Sequence, residues 1–266
     1  MTRSAFRAPL LTLCAIITGL LLAPAWADSS KKTQSPGEEA EQHVSMAENT
    51  FENFWLDPGQ DSFRKRLATA QGVLIIPASA RIGFIFSGAG GRGVLVARDA
   101  SGKWIGPAFY TLSYASIGLQ IGVQVSEVVI LAMSQSAVNS LLSSSFRGGA
   151  DAAIAAGPVG TGMQSSFEGD FLTFYRSKVL YGGLDVNASI LSANDAWNTG
   201  FYGKPTTSVD ILVNHQASSP KAERLLNVVS VAAIEAATQE KAVAPKAETP
   251  APAKDEKLTQ PKAAKN

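Results

Sequence analysis

The sequence predicts an α+β fold: a strongly curved, mostly antiparallel, barrel-like sheet with helices from the N- and C-terminal parts of the chain packed on it. Three observations carry this. Apolar residues recur at helical spacing near both ends of the chain. Between them the period falls to about two, with strand-like runs following one another instead of alternating with helices. Glycines recur inside those runs, where they favour bends and closure over a flat sheet.

The first element is helical. In "AEQHVSMAENTFENFWLD", Val44, Ala47, Phe51, Phe54 and Trp55 share one face, and "DPG" at Asp57–Gly59 ends the run. "DSFRKRLATAQG" predicts a second, short helix with Asp61 as N-cap and Gly72 as its stop. "VLIIP" from Val73 reads as a buried strand. The stretch "FIFSGAGGRGVLVA" holds a G-x-G-x-x-G at Gly88, Gly90 and Gly93. A dinucleotide fingerprint needs a helix directly behind it, to present free N–H groups to a pyrophosphate. Here "VLVARDASGKW" follows, β-branched and closed by a turn, so two strands are expected to flank a glycine loop.

The clearest alternation runs from Ala115 to Ser126, apolar at every second position with Gly, Ser and Gln between; it predicts one strand with a core face and a nearly flat one. "VVILAM" from Val128 reads as a central strand, and "SQSAVNSLLSS" as a helix capped by Ser134. Shorter strands are expected near 152–156, 171–176 and 184–191. The final helix has Ser219 as N-cap, Pro220 at its first position, and Leu225, Val228, Val229 and Ala232 facing inward.

Residues 1–27 have the form of a secretory signal: Arg3 and Arg7, an apolar core, and "AWA" before a cleavage expected after Ala27. Cys14, the single cysteine, lies within it, so the mature chain is expected to hold neither a disulfide nor a thiolate metal site. Such a chain suits the bacterial periplasm. Removing these residues leaves 21 basic against 22 acidic side chains, a balance that argues against nucleic acid as a partner. Residues 28–42 read as a flexible lead-in, 43–238 as the domain, and 239–266, rich in Lys, Ala and Pro, as a disordered tail.

Catalytic motifs, metal ligands and cofactors are not expected. The two histidines, His43 and His215, are far apart in sequence, G-x-S-x-G is missing, and the acids are scattered singly. What remains points to binding. Arg64, Lys65 and Arg66 form a basic knot, followed by Arg81, Arg92 and Arg98; Arg176 and Lys178 lie in an aromatic stretch further on. Guanidinium forks suit phosphate oxygens. Phe51, Phe54 and Trp55 form a stripe that either packs on the sheet or faces a bilayer.

Several segments in order resemble the SYLF domain family, also known as the Ysc84-type domain. They are "AQGVLIIPASARIGFIFSGAGGRGVLVARDASGKWIGPAFYTL", "GLQIGVQVSEVVILAMSQSAVNSLL", "AAIAAGPVG", "YRSKVLYGGLDVNASIL" and "NDAWNTGFYGKPTTSVDIL", spanning about residues 45–235. Val179 stands where family members often carry glycine. The resemblance implies a lipid-binding module without catalytic residues. Eukaryotic relatives bind phosphoinositides and some fungal ones bind actin. For an exported chain, actin is not an expected partner, and glycerophospholipid headgroups are the better carry-over. The expected function is therefore non-enzymatic phospholipid binding at the bacterial cell envelope, with headgroup phosphates on the local basic patch. The alternative is an envelope interaction protein, meeting another envelope protein or peptidoglycan through its tail, without a lipid ligand.

Overall fold

A computed structural model of the chain describes residues 34–83, 86–117, 122–143, 145–147, 154–156, 170–177 and 189–243, with side chains described outside 79–89, 114–125, 154–156, 177, 189 and 243. The expected signal segment, Lys178, Val179 and residues 244–266 of the expected tail lie outside the described residues.

The first helix, α1 (Pro36–Leu56), begins inside the stretch read as a flexible lead-in. Pro36 and Gly37 do not break it. Proline at the first helical position gives up an N–H that has no intrahelical partner anyway. Ser35 and Glu38 close a capping box: Glu38 N–H donates to Ser35 Oγ at 3.3 Å, and Ser35 N–H donates to the Glu38 carboxylate at 2.9 Å. A 3-10 turn capped by Asp57 leads into α2 (Asp61–Leu67), which ends before Gly72; that glycine opens a strand.

The strands are β1 (Gly72–Gly83), β2 (Phe86–Arg98), β3 (Trp104–Ile117), β4 (Gly122–Ala132), β5 (Ser145–Arg147), β6 (Ile154–Ala156), β7 (Phe171–Ser177) and β8 (Ser189–Ala193). They form one sheet in the order β5-β8-β3-β2-β1-β4-β7-β6. All pairings are antiparallel except β6 with β7. Two expectations are corrected here. Gly88, Gly90 and Gly93 do not sit in a loop between strands; all lie within β2. A Cβ on Gly93 would come within 2.8 Å of Leu74 Cδ1, so this glycine makes room for the neighbouring strand's leucine. The alternation from Ala115 to Ser126 is not one strand either: it runs from the end of β3 into β4, which are separated in the sheet by β2 and β1.

β1 is apolar on both faces because both are covered. Val73 and Ile75 join Val94, Val96, Val129, Leu131 and Phe174 in a core shared with α1, α2, α4 (Asp195–Tyr202) and α6 (Glu223–Val243). Leu74 and Ile76 join Leu95, Val128 and Ile130 on the opposite face, under α3 (Gln135–Leu141) and α5 (Ser208–Leu212). Pro77 falls where the β1 register shifts against both neighbours, a place where its missing N–H breaks no ladder. The sheet curls: Phe146 on β5 and Phe171 on β7, near opposite ends of the strand order, meet at a tilt of 60° with ring centroids 5.2 Å apart. The void left inside this curl is about 10 Å³, at most the room of one water.

The helices α4 and α5 were not read from the sequence, although their signals are present. Asn194 caps α4 through Trp197 N–H, Gly203 ends it with φ +70°, and Thr207 with Asp210 forms a capping box for α5. Asn198 ties α4 to the sheet, its Oδ1 accepting from Phe109 N–H at 2.9 Å.

Candidate functional site

Three of the expected headgroup-binding arginines are committed to the protein itself. Arg64 donates to the carbonyls of Trp55 at 3.1 Å, Asp57 at 2.6 Å and Pro58 at 3.4 Å, and pairs with Asp61. It thereby satisfies the free carbonyls at the end of α1. Arg98 donates to Ala70 O and Gly102 O, each at 3.0 Å, and lies 4.5 Å above the Trp104 ring. Arg176 bridges Asp57 at 3.0 Å and Glu127 at 2.9 Å, holding the turn after α1 to β4 and β7. Turning one of these forks fully onto a phosphate would take it from these acceptors, leaving them without donors at a cost of about 1–3 kcal/mol each.

The aromatic stripe also turns inward. Phe51 and Phe54 are fully buried and Trp55 is packed against the same core, so these side chains meet the sheet and α2 rather than a bilayer. The sequence pattern fitted both placements; burial on the sheet removes more apolar surface from water than a stripe left outside. Lys65 is exposed and Arg66 half-buried on α2. Arg81 pairs through its backbone with Ala89 and Gln124; its side chain is outside those described.

Arg92 differs from the others. It is exposed, and its guanidinium lies 4.6 Å from the Trp197 ring centroid. Among the described residues no carbonyl or carboxylate accepts from that guanidinium. Stacking on an indole fixes the plane while leaving the N–H edges available. The residue borders a shallow basin of about 460 Å³ on the sheet, lined by His43, Ala78, Gly90, Thr111 and Ser113 among others. Among the described atoms a Cβ on Gly90 would meet only Leu112 O, at 3.7 Å, an ordinary contact that does not demand glycine there. Its absence of a side chain leaves the floor open.

His43 on α1 closes one side. Its Nε2–H donates to Arg92 O at 2.7 Å, which requires the proton on Nε2, and its ring meets Trp197 edge-on with centroids 5.2 Å apart. Burial holds the His43 pKa below its ordinary value; the Arg92 charge adds to this and the bond to the Arg92 carbonyl opposes it. In the unfolded chain His43 binds a proton as pH falls through about 6.5, while the folded form resists it, so this residue contributes stability at neutral pH that is lost on acidification. His43→Gln keeps a donor for Arg92 O and removes the titration. It is expected to show a shallower loss of stability between about pH 7.5 and 5 than the parent, read from urea midpoints.

Among the described residues no group of three or more His, Cys, Asp or Glu side chains lies close enough to hold a metal ion, and no helix is long and apolar enough to cross a membrane.

A curled antiparallel sheet with helices over both its faces thus carries a ring-stacked arginine at an open, glycine-floored basin. Residues 113–232 match the family described as Ysc84, Las17-binding protein actin regulator, so that segment is identified as a Ysc84 (SYLF) domain. It is 30% identical over 170 residues to Protein YSC84 of Saccharomyces cerevisiae, a match covering 61% of this chain and 36% of that one. LAS seventeen-binding protein 3 of the same yeast is 28% identical over 170 residues, covering 61% of this chain and 37% of the relative. SH3 domain-containing YSC84-like protein 1 of Homo sapiens is 27% identical over 168 residues, covering 61% and 49%. The chain thus spans between about a third and a half of the length of these curated relatives. No solved structure matches it.

Proposed function

We propose that this protein is a non-enzymatic phospholipid-binding protein of the cell envelope, and that Arg92 receives a headgroup phosphate at the basin beside His43. The observation that carries this is the Arg92 guanidinium, stacked on Trp197 at 4.6 Å and free of protein acceptors among the described residues. Among the described side chains, Lys65 and Arg66 on α2 are the other expected headgroup residues that the internal bonds of the fold leave available. This reading takes the chain as exported, with Asp28 its first mature residue. The family supports a binding role, and its description as an actin regulator concerns relatives.

Co-sedimentation of the full chain with phosphatidylcholine vesicles, with and without phosphatidylglycerol, tests the proposal. Binding is expected only with the anionic lipid and should fade at high salt, because exposed charges are screened within about 8–10 Å. Arg92→Glu is expected to weaken it by about tenfold or more, since each basic group near an anionic surface contributes about 1 kcal/mol and the change adds a repulsive charge. Arg98→Gln, at a guanidinium already bound to carbonyls, should change vesicle affinity little. Unchanged binding by Arg92→Glu would sink the reading. Co-pelleting with filamentous actin separates it from the relatives' named property.

A further inference from the structure

A second concave surface lies elsewhere. A cleft of about 590 Å³ opens between the β2–β3 turn, the segment after α5 and the first turns of α6. That volume lies in the range that holds a small ligand. Its accessible apolar lining includes Ile105, Ala217 and Leu226, with Trp104 and Ile211 buried behind them, and its polar lining includes Lys103, His215 and Glu223.

The charges of this cleft are arranged unusually. Asp99 is committed to its own turn: its Oδ1 accepts from Ser101 N–H at 2.8 Å, Ser101 Oγ at 2.6 Å and Lys103 N–H at 3.0 Å. The amides ahead of α6 are satisfied as well, Lys221 N–H by Ser219 Oγ, Ala222 N–H by Ser219 O and Glu223 N–H by Pro220 O. The helix end therefore offers an anion nothing. Lys103 on the turn and Glu223 on α6 remain. Both side chains are exposed, they approach the cleft from different walls, and among the described residues neither has a partner, including each other. His215 adds a polar ring from the third wall, its backbone held at φ 52° by the bond from Gln216 N–H to Asp210 O at 2.8 Å.

An unpaired cation and an unpaired anion facing one apolar-lined cleft complement a ligand that carries both charges on a greasy body. We infer that the cleft takes a single zwitterionic phospholipid molecule, with its phosphate at Lys103, its ammonium at Glu223 and the first methylenes of its chains on Ile105, Ala217 and Leu226. This extends the phospholipid reading to a second site and does not depend on the Arg92 basin.

Isothermal titration of the full chain tests it, with dihexanoyl phosphatidylethanolamine kept below its micelle concentration. The comparison ligands are dihexanoyl phosphatidylglycerol, which lacks the ammonium, glycerophosphoethanolamine, which lacks the chains, and free leucine, a zwitterion that is not a lipid. Phosphatidylethanolamine should bind at least tenfold more tightly than each of the three. Glu223→Gln should collapse the preference over phosphatidylglycerol to near one, whereas Lys103→Gln should weaken both lipids about equally. A purely structural role for either exposed residue would leave that ratio unmoved. Arg92→Glu should leave the titration unchanged, so loss of vesicle binding and loss of this binding are separate results. Equal affinity for the two lipids in the parent, leucine binding as tightly as the lipid, or a ratio untouched by Glu223→Gln would each overturn the assignment.

Discussion

Phe63→Ala is expected to lower the stability of the domain by about 3–5 kcal/mol, the range for deleting a buried aromatic ring. Phe63 is fully buried on α2, where it meets three other rings edge-on: Phe51 at 5.7 Å, Phe54 at 5.8 Å and Phe174 at 5.5 Å between centroids. These come from α1 and from β7, so one side chain joins two helices to the sheet. Alanine loses the transfer energy of the ring and leaves a cavity that α1 cannot collapse into, because the Arg64 guanidinium pins the end of that helix through its carbonyls. The measurement is the denaturant midpoint, which should fall with little change in slope. A loss below about 1 kcal/mol would mean that α2 does not hold this place.

Gly200→Ala is expected to destabilise by about 3 kcal/mol, against the direction that helix propensity predicts. In a helix interior, alanine is ordinarily better than glycine by about 1 kcal/mol. Here a Cβ on Gly200 would stand 2.6 Å from Gly37 N and 3.0 Å from Gly37 Cα. The reverse contact is as close, with a Cβ on Gly37 meeting Gly200 O at 2.5 Å. These atoms are backbone, so no side-chain rotation relieves the clash and α1 and α4 must move apart; such overpacking costs about 1–3 kcal/mol or more. The separation would also strain the bond from Trp197 Nε1–H to Glu39 at 3.2 Å and shift the indole on which Arg92 rests. Gly200→Ala should therefore weaken vesicle binding as well as lower the thermal midpoint. A rise in that midpoint would overturn the crossing.

Much of the architecture could be read from local pattern. The apolar runs at Val73 and Val128 mark strands covered on both faces, and β-branched residues behind Gly93 exclude the helix that a phosphate cradle needs. The alternation from Ala115 to Ser126 misled because period two persists across two strands, and its phase carries no mark of where one ends. The basic residues were less legible. Arg64, Arg92 and Arg98 look alike in sequence, yet two of them reach main-chain carbonyls while Arg92, among the described residues, reaches only a ring from α4. Carbonyls belong to every residue and leave no signature of which one an arginine will find.

The sequence by itself determined what a few neighbouring residues can settle: the cap at Ser134, the strand behind the glycines, the turn at Asp99, and the α+β order of elements. These depend on hydrogen bonds and dihedral preferences that close within a turn or two of chain. Only the tertiary structure decided that Gly37 and Gly200 touch, that Phe51 and Phe54 face inward, and that Arg92 rests on the Trp197 ring. Those outcomes depend on which atoms arrive from far along the chain, and a residue's own neighbours hold no record of them.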